Sequence, residues 1–431
     1  MEKENNYDNQ EKFNIQMIAI IICSVINTII GVFSGTFLVA NLYSTNSDPI
    51  FTISTYYLCD FLALLTFYFI LAHFGENVKV REWIYRIGII IKGVFVLLIV
   101  IMKSEFQTYI YLFAVISGMG DAFYWSSYSL MRYSVVRRKM INKFTLAEQL
   151  TGKCASILVP IILGSLIDIQ SFVKIAFPVL IFSFIQVIFS FFVKSNQVKK
   201  SSFNITKFWK KLYLDKNSRQ FRKIYMSFLV DGTRGAMGTM ITIFIMMFFD
   251  KSNSSLGIIS SLISVCSMIL LLVYTSNKAI KESGYTYLYM CIFPLIACLT
   301  MIFYPSKITL IIYNIAFTTT SDIMTYGLDT ARISILKLKN YHSETLEHNV
   351  TAEIHLDFGR FFSYGFMLFI GIFGKNNIEF WLRLSLVVYI TMFIVVNILN
   401  YSLQKDYKRI LEEHNKQKEL AENKNNTDKS M

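Results

Sequence analysis

Proline is nearly missing from this chain: 5 in 431 residues, against 38 phenylalanines and 25 tyrosines. Proline interrupts helices because it lacks an N–H and clashes with the preceding turn, so a chain this poor in it is free to run in long helices. Histidine is sparse as well, five residues at 73, 342, 348, 355 and 414. The six cysteines, at 23, 59, 154, 266, 291 and 298, all lie inside apolar runs with neither metal-ligand nor extracellular pairing spacing, and read as small packing residues. No phosphate-cradling glycine loop, nucleophile elbow or metal motif is present, and no nucleophile, base and electrophile stand together at working spacing. The chain is therefore expected not to be an enzyme and to carry neither cofactor nor metal. The opening "MEKENNYDNQEKFN" lacks the basic region and small-residue cleavage site of a secretory signal, so the first apolar run is expected to stay in the protein.

Charge is scarce too, at 16% of residues, while 54% are hydrophobic and 16% aromatic. Apolar runs long enough to cross a bilayer recur along nearly the whole chain. Twelve are expected, at about 15–42, 51–73, 84–102, 108–131, 145–167, 172–193, 224–249, 256–275, 285–303, 308–331, 350–373 and 379–401, here called spans 1 to 12. Basic residues collect in alternate loops, 23 on one side against five (Lys103, Lys174, Lys251, Lys307 and Lys375) on the other. By the positive-inside rule this places both termini in the cytoplasm. The fold class is thus an all-α, multi-pass integral membrane protein of the cell membrane. Its net charge of +13 is read as contact with anionic lipid at the cytoplasmic face, not with nucleic acid.

The longest break, within 194–223, is basic and divides the chain six plus six: an N-terminal half (1–193), the linker, a C-terminal half (224–401) and a charged tail (402–431) with a helix near "YKRILEEHNKQKEL" and a disordered end. "ITKFWKKLYL" in the linker, with Phe208, Trp209, Leu212 and Tyr213 among lysines, suits either a short helix at the cytoplasmic membrane surface or a solvated connection. Three weak matches suggest a parallel duplication. "NTIIG" (27–31) aligns with "DGTRG" (231–235), "GDAFYWSSYSLMR" (120–132) with "SDIMTYGLDTAR" (321–332), and "TLAEQLTGK" (145–153) with "TAEIHLDFGR" (351–360).

Two six-helix halves, a basic central loop and cytoplasmic termini resemble the major facilitator superfamily along the whole chain. The loop "HFGENVKVREWIYR" keeps Gly75, Glu76 and the cations of that family's signature between helices 2 and 3, in a different order. In span 4, "GMGDAFYWSSYSL" is similar to a glycine-then-Tyr-Trp pattern of a poorly characterised Gram-positive branch, and to the Asp-x-x-aromatic-Trp-Ser pattern of cation-coupled sugar symporters. Phe123 and a single Asp60 stand where those symporters have a proline and paired aspartates. The resemblance implies that helices 1, 4, 7 and 10 line a central cavity. That would set Asn27, Tyr124, Trp125, Tyr128, Asp231, Arg234 and Tyr326 where a substrate passes or a gate closes.

An ionisable side chain at the centre of a membrane helix costs on the order of 2.5–3.5 kcal/mol by insertion scales, so each needs a partner or water. Asp121, Asp322 and Asp60 are candidates for binding a coupling proton, with sodium the other ion to consider, because burial favours the neutral form of a carboxyl. Pairings are expected between Asp231 and Arg234, between Glu148 and Lys153, and among Glu353, Asp357 and Arg360. Asp-x-x-Arg spacing puts both residues on one helix face. The same spacing at Asp329/Arg332, at the end of span 10, suggests an interfacial bridge or snorkelling. His355 is expected to be a packing residue or a titrating one. Gly31, Gly35, Gly118, Gly120, Gly235 and Gly238 are expected at close helix approaches.

The first functional expectation is a secondary active transporter moving a small molecule by alternating access, in proton-coupled efflux, with a monomer favoured. Uptake of a sugar-like solute in symport is the second. A non-transporting membrane sensor or assembly partner with the same fold is the third.

Overall fold

Residues 13–74, 77–136, 140–194, 203–215, 218–277, 285–338 and 344–430 are described by the computed structural model; Gly75, Glu76, His342 and linker residues 195–202 lie outside them. Among the described residues the chain is helical, without strands. Nine helical stretches there are long and apolar enough to cross a membrane, and the one from Val78 to Arg132 takes in spans 3 and 4 with the tight turn Lys103–Tyr109 between them. Large apolar side chains such as Leu62, Ile70, Leu158, Phe184 and Ile269 stand outward, as a lipid-facing surface requires.

Spans 7 and 10 are not among the nine, and both differ from a plain apolar helix. Span 10 is one helix, Lys307–Leu338, carrying Asn314, three threonines, Ser321 and Asp322 through its middle and Asp329 and Arg332 beyond. Span 7 was expected to be continuous but is broken into Arg219–Gly232 and Met237–Phe248. Gly232 and Gly235 flank the break, which costs little where glycine already weakens the helix. Residues 233–237 turn by short i→i+3 bonds such as Gly235 N to Gly232 O (2.8 Å), and the freed N–H of Ala236 donates to Ser363 Oγ on span 11 at 2.9 Å. Span 1 is irregular as well: Ile15–Gly31 and Leu38–Thr45 are joined by a π-type turn, Val32–Phe37. At the offset of the suggested repeat the two irregularities abut.

Spans 1 to 6 pack chiefly on one another, as do spans 7 to 12, and the helix pairs 2/11 and 5/8 join the two sets. At the 5/8 crossing the backbones touch: a Cβ on Gly257 would sit 2.2 Å from the carbonyl oxygen of Pro160, and one on Gly164 2.4 Å from that of Asn253. Of the six glycines expected at close approaches, Gly118, Gly120 and Gly235 are there, whereas Gly31, Gly35 and Gly238 face open space. Glycine spacing alone does not say which face of a helix meets a neighbour.

At the predicted outer end, the Asp168 carboxylate accepts bonds from Ser254 N (2.8 Å) and Asn253 Nδ2 (2.9 Å) at the start of span 8, where an anion also suits the helix dipole. Lys375 pairs with Asp48 at 3.0 Å. At the other end Asn349 Nδ2 donates to Ser126 O at 3.1 Å.

The linker segment forms the helix Ile205–Leu214, but its apolar face meets protein and not lipid. Phe208 and Leu212, four residues apart, are buried, with the Phe208 ring against those of His348 and Tyr225. Trp209 Nε1 donates to Thr351 Oγ1 at 3.0 Å, and the Tyr213 hydroxyl meets His355 Nε2 at 2.8 Å, so His355 is a packed and bonded residue. The tail also departs from expectation. Its end is helical, and Ile378–Ser430 is one helix of 53 residues. No proline or glycine interrupts it, and Asp406 anchors it by pairing with Lys223 at 2.6 Å.

Candidate functional site

The sequence pattern left Lys92 unmarked, yet it organises the first charged group. It lies midway along Val78–Met102, forms an ion pair with Asp121 of span 4, and donates to Asn27 Oδ1 of span 1 at 2.9 Å. Its ammonium also sits 4.8 Å from the centre of the Tyr124 ring, a cation–π distance. Spans 3 and 4 come this close because Gly120 leaves room beside the Lys92 stem, 3.1 Å from where a Cβ would be. A lone cation halfway along an apolar span was the signal that could have found it. Tyr124 and Tyr128 are buried and stack together, with Tyr85 against Tyr124; Trp125, edge-on to both, is the exposed member at 37%.

The second group joins the two sets of spans. Asp322 of span 10 is bound by Lys153 of span 5 and by the Ser267 hydroxyl of span 8. The expected pairing of Glu148 with Lys153 is therefore not made. On a helix, residues five apart point away from one another. Glu148 is held by Arg132 at 3.0 Å, and Arg132 also reaches Asp329 at 3.8 Å.

From Asp329 the charges continue. Arg332 lies 3.8 Å from Asp329 and 3.6 Å from Asp231, and Asp231 pairs with Arg234 at 2.6 Å. Six side chains of alternating sign thus run from span 5 through spans 4 and 10 to span 7. The Asp231–Arg234 pair is made as the spacing predicted, and the break in span 7 lets Arg234 reach Ser321 and Thr325 (3.3 Å) of span 10 as well. Arg332, expected to snorkel, is turned inward and buried. It donates to Ser227 Oγ at 3.0 and 3.1 Å and stacks 3.7 Å from the Phe228 ring. Tyr326, on the same helix, is buried beside Tyr274, Tyr287 and the leucines 146 and 150 of span 5.

The third group lies between spans 2 and 11. Arg360 reaches Glu353 at 3.0 Å and Asp357 at 2.7 Å, as predicted, and its guanidinium lies over the Phe61 ring at 4.9 Å. Asp60, next to Phe61, is buried. Oxygens Oδ1 of Asp60 and Oδ2 of Asp357 are buried without a hydrogen-bond partner among the described residues.

Asp121 and Asp322 keep about a quarter of their side-chain surface exposed (26% and 24%), in contrast to the fully covered Asp357. Charged groups midway along apolar helices that keep exposed surface are able to meet water or a solute there. Among the described residues, no grouping of His, Cys, Asp and Glu is placed to hold a metal ion.

No protein-family model matches the chain, and no curated protein matches it. Solved structures do. The human organic anion transporter MFSD10 (TETRAN) superposes with a TM-score of 0.60 at 10% identity, covering 90% of this chain and 98% of that one. The nucleoside transporter NupG, solved as a single-site mutant, gives 0.62 at 12% identity, covering 90% and 100%. At such identity the likeness concerns the fold alone, which is that of these two transporters.

Proposed function

We propose that this chain is a secondary active transporter of the cell membrane, with twelve membrane crossings, both termini cytoplasmic, and two six-helix halves (1–193 and 224–401) that rock about the contacts 2/11 and 5/8. The single observation that carries this reading is Asp322, bound at once by Lys153 from one half and Ser267 from the other. An intramembrane carboxylate clamped across two bodies ties its charge state to their relative position. Proton uptake on Asp322 or Asp121 frees Lys153 or Lys92, and the freed ammonium is available to a solute. Asn27, Trp125, Asp231 and Arg234 complete the polar wall that the solute meets.

Transport of small organic solutes by proteins of this fold, an organic anion in one case and a nucleoside in the other, supports a small-molecule substrate. Efflux driven by the proton gradient is the direction proposed, for an amphipathic solute, and the exposed Trp125 beside the Lys92–Asp121 pair is what favours it.

The test is flux in reconstituted vesicles loaded with a panel of amphipathic dyes and simple sugars. An imposed proton gradient is expected to drive at least one dye against its own gradient, in antiport. Accumulation in the same direction as the protons would replace efflux by symport. Asp121→Asn and Asp322→Asn are each expected to uncouple movement from the gradient; unchanged coupling in both removes these residues from the mechanism.

A further inference from the structure

Three carboxylates, Asp60, Glu353 and Asp357, share the space between spans 2 and 11 with one guanidinium, that of Arg360. The other charges that reach the cluster are already committed. Lys92 of span 3 is taken by Asp121 of span 4 and Asn27 of span 1, and Asp231 of span 7 by Arg234 and Arg332. Asp60 feels Asp121, Arg360 and Lys92 and has the Ser117 hydroxyl beside it, and Asp357 feels Glu353, Arg360 and Asp121. The neighbouring hydroxyls of Tyr56, Tyr57, Tyr68 and Tyr364 are neutral groups and offset no charge.

Fully ionised, the cluster would bury two uncompensated negative charges. Two separate atoms mark where the excess sits. Oδ1 of Asp60 and Oδ2 of Asp357 have no hydrogen-bond donor among the described residues, on residues 4% and 0% exposed and on facing helices of the two halves. An ionised carboxylate oxygen so buried is left without a donor, and a buried group so placed neutralises itself by taking up a proton. Arg360 directs Nη1 at both Glu353 and Asp357 and lays its plane over Phe61, so one positive charge is set against three carboxyl groups.

We propose that spans 2 and 11 hold a proton-binding site in which Asp60 and Asp357 are protonated in this closed arrangement. Glu353 stays ionised against Arg360. This site is distinct from Asp121 and Asp322, which are paired with lysines and less covered. It rests on the transporter reading above for its role, which is to keep the contact between the halves uncharged while they slide. A proton leaves it when spans 2 and 11 separate and water reaches the carboxyls.

Infrared difference spectroscopy of the full chain in lipid at neutral pH tests this, with the proton itself as the probe. The wild type is expected to give a protonated-carboxyl carbonyl band that shifts in deuterium oxide. Asp60→Asn and Asp357→Asn should each remove part of it, and the double variant all of it, whereas Asp121→Asn and Asp322→Asn leave it. Arg360→Gln, which withdraws the cation, should enlarge it. Absence of the band from the wild type overturns the proposal without any variant having to fold, and so does a band that survives the double substitution. Flux measured on the same vesicles separates the two readings: a band assigned to Asp60 and Asp357 in a protein that moves no solute keeps the proton site and removes the transporter.

Discussion

Lys92 illustrates how a single side chain can govern a region that its own stretch of sequence does not advertise. With 15% of its side chain exposed, it neutralises Asp121 from a position where neither charge is well hydrated. Removing one partner of such a pair leaves the other buried and unpaired, at a cost on the order of 3 kcal/mol. Lys92→Met is therefore expected to lower the melting temperature in detergent clearly, while Lys92→Met combined with Asp121→Asn recovers most of the loss. A double variant as unstable as the single would show that Lys92 acts through packing. At this scale the sequence was informative wherever partners are close along the chain. Asp231/Arg234 and Asp357/Arg360 are i,i+3 pairs on one helix, and both are made. The partners of Lys153 and Glu148 lie on other helices, and local spacing proposed the wrong match, since residues five apart on a helix diverge.

Span 7 shows why a helix boundary can fail where a helix is correctly expected. Its hydropathy and length suit a crossing, and of the two glycines that weaken it only Gly235 was read, as a packing position. What fixes the break is Ser363 on span 11, which accepts the N–H that the broken ladder leaves over. Backbone groups freed inside a membrane protein must be satisfied by neighbours in this way. Ser363→Ala leaves that donor unsatisfied and is expected to cost about 1–3 kcal/mol. Hydrogen exchange at 232–237 should accelerate, and unchanged protection there would mean that the turn holds itself. The linker helix makes a parallel case. Its apolar stripe was legible, but a stripe is equally suited to lipid and to protein, and only the presence of Tyr225 and His348 opposite Phe208 decides between them. Phe208→Ala should undock the helix, since burying such a ring is worth roughly 3–5 kcal/mol in core positions. The readout is faster amide exchange across 205–214, with spans 8 and 9 unaffected.

For the whole molecule, the recurrence of long apolar runs made the all-helical architecture legible, because a bilayer leaves the backbone few options. The relation between the two sets of spans was not legible, as it depends on contacts such as Gly257 on Pro160 that join distant segments. If the halves rock, the Asp168–Asn253 contact at the predicted outer end must part in each cycle. Cysteines placed at 168 and 253, in a chain whose six native cysteines are replaced, are expected to stop flux when oxidised and restore it when reduced. Flux that persists under oxidation would require an outer path elsewhere. The last helix adds a mechanical property. At ~1.5 Å per residue its 53 residues extend about 80 Å, well over twice the ~30 Å of a hydrocarbon core, and Lys223–Asp406 clamps it to the base of span 7. It behaves as a lever arm fixed near its fulcrum, so a small tilt of the helices around Asp322 becomes a sweep many times larger at its free end, where distance-sensitive probes would read it most easily.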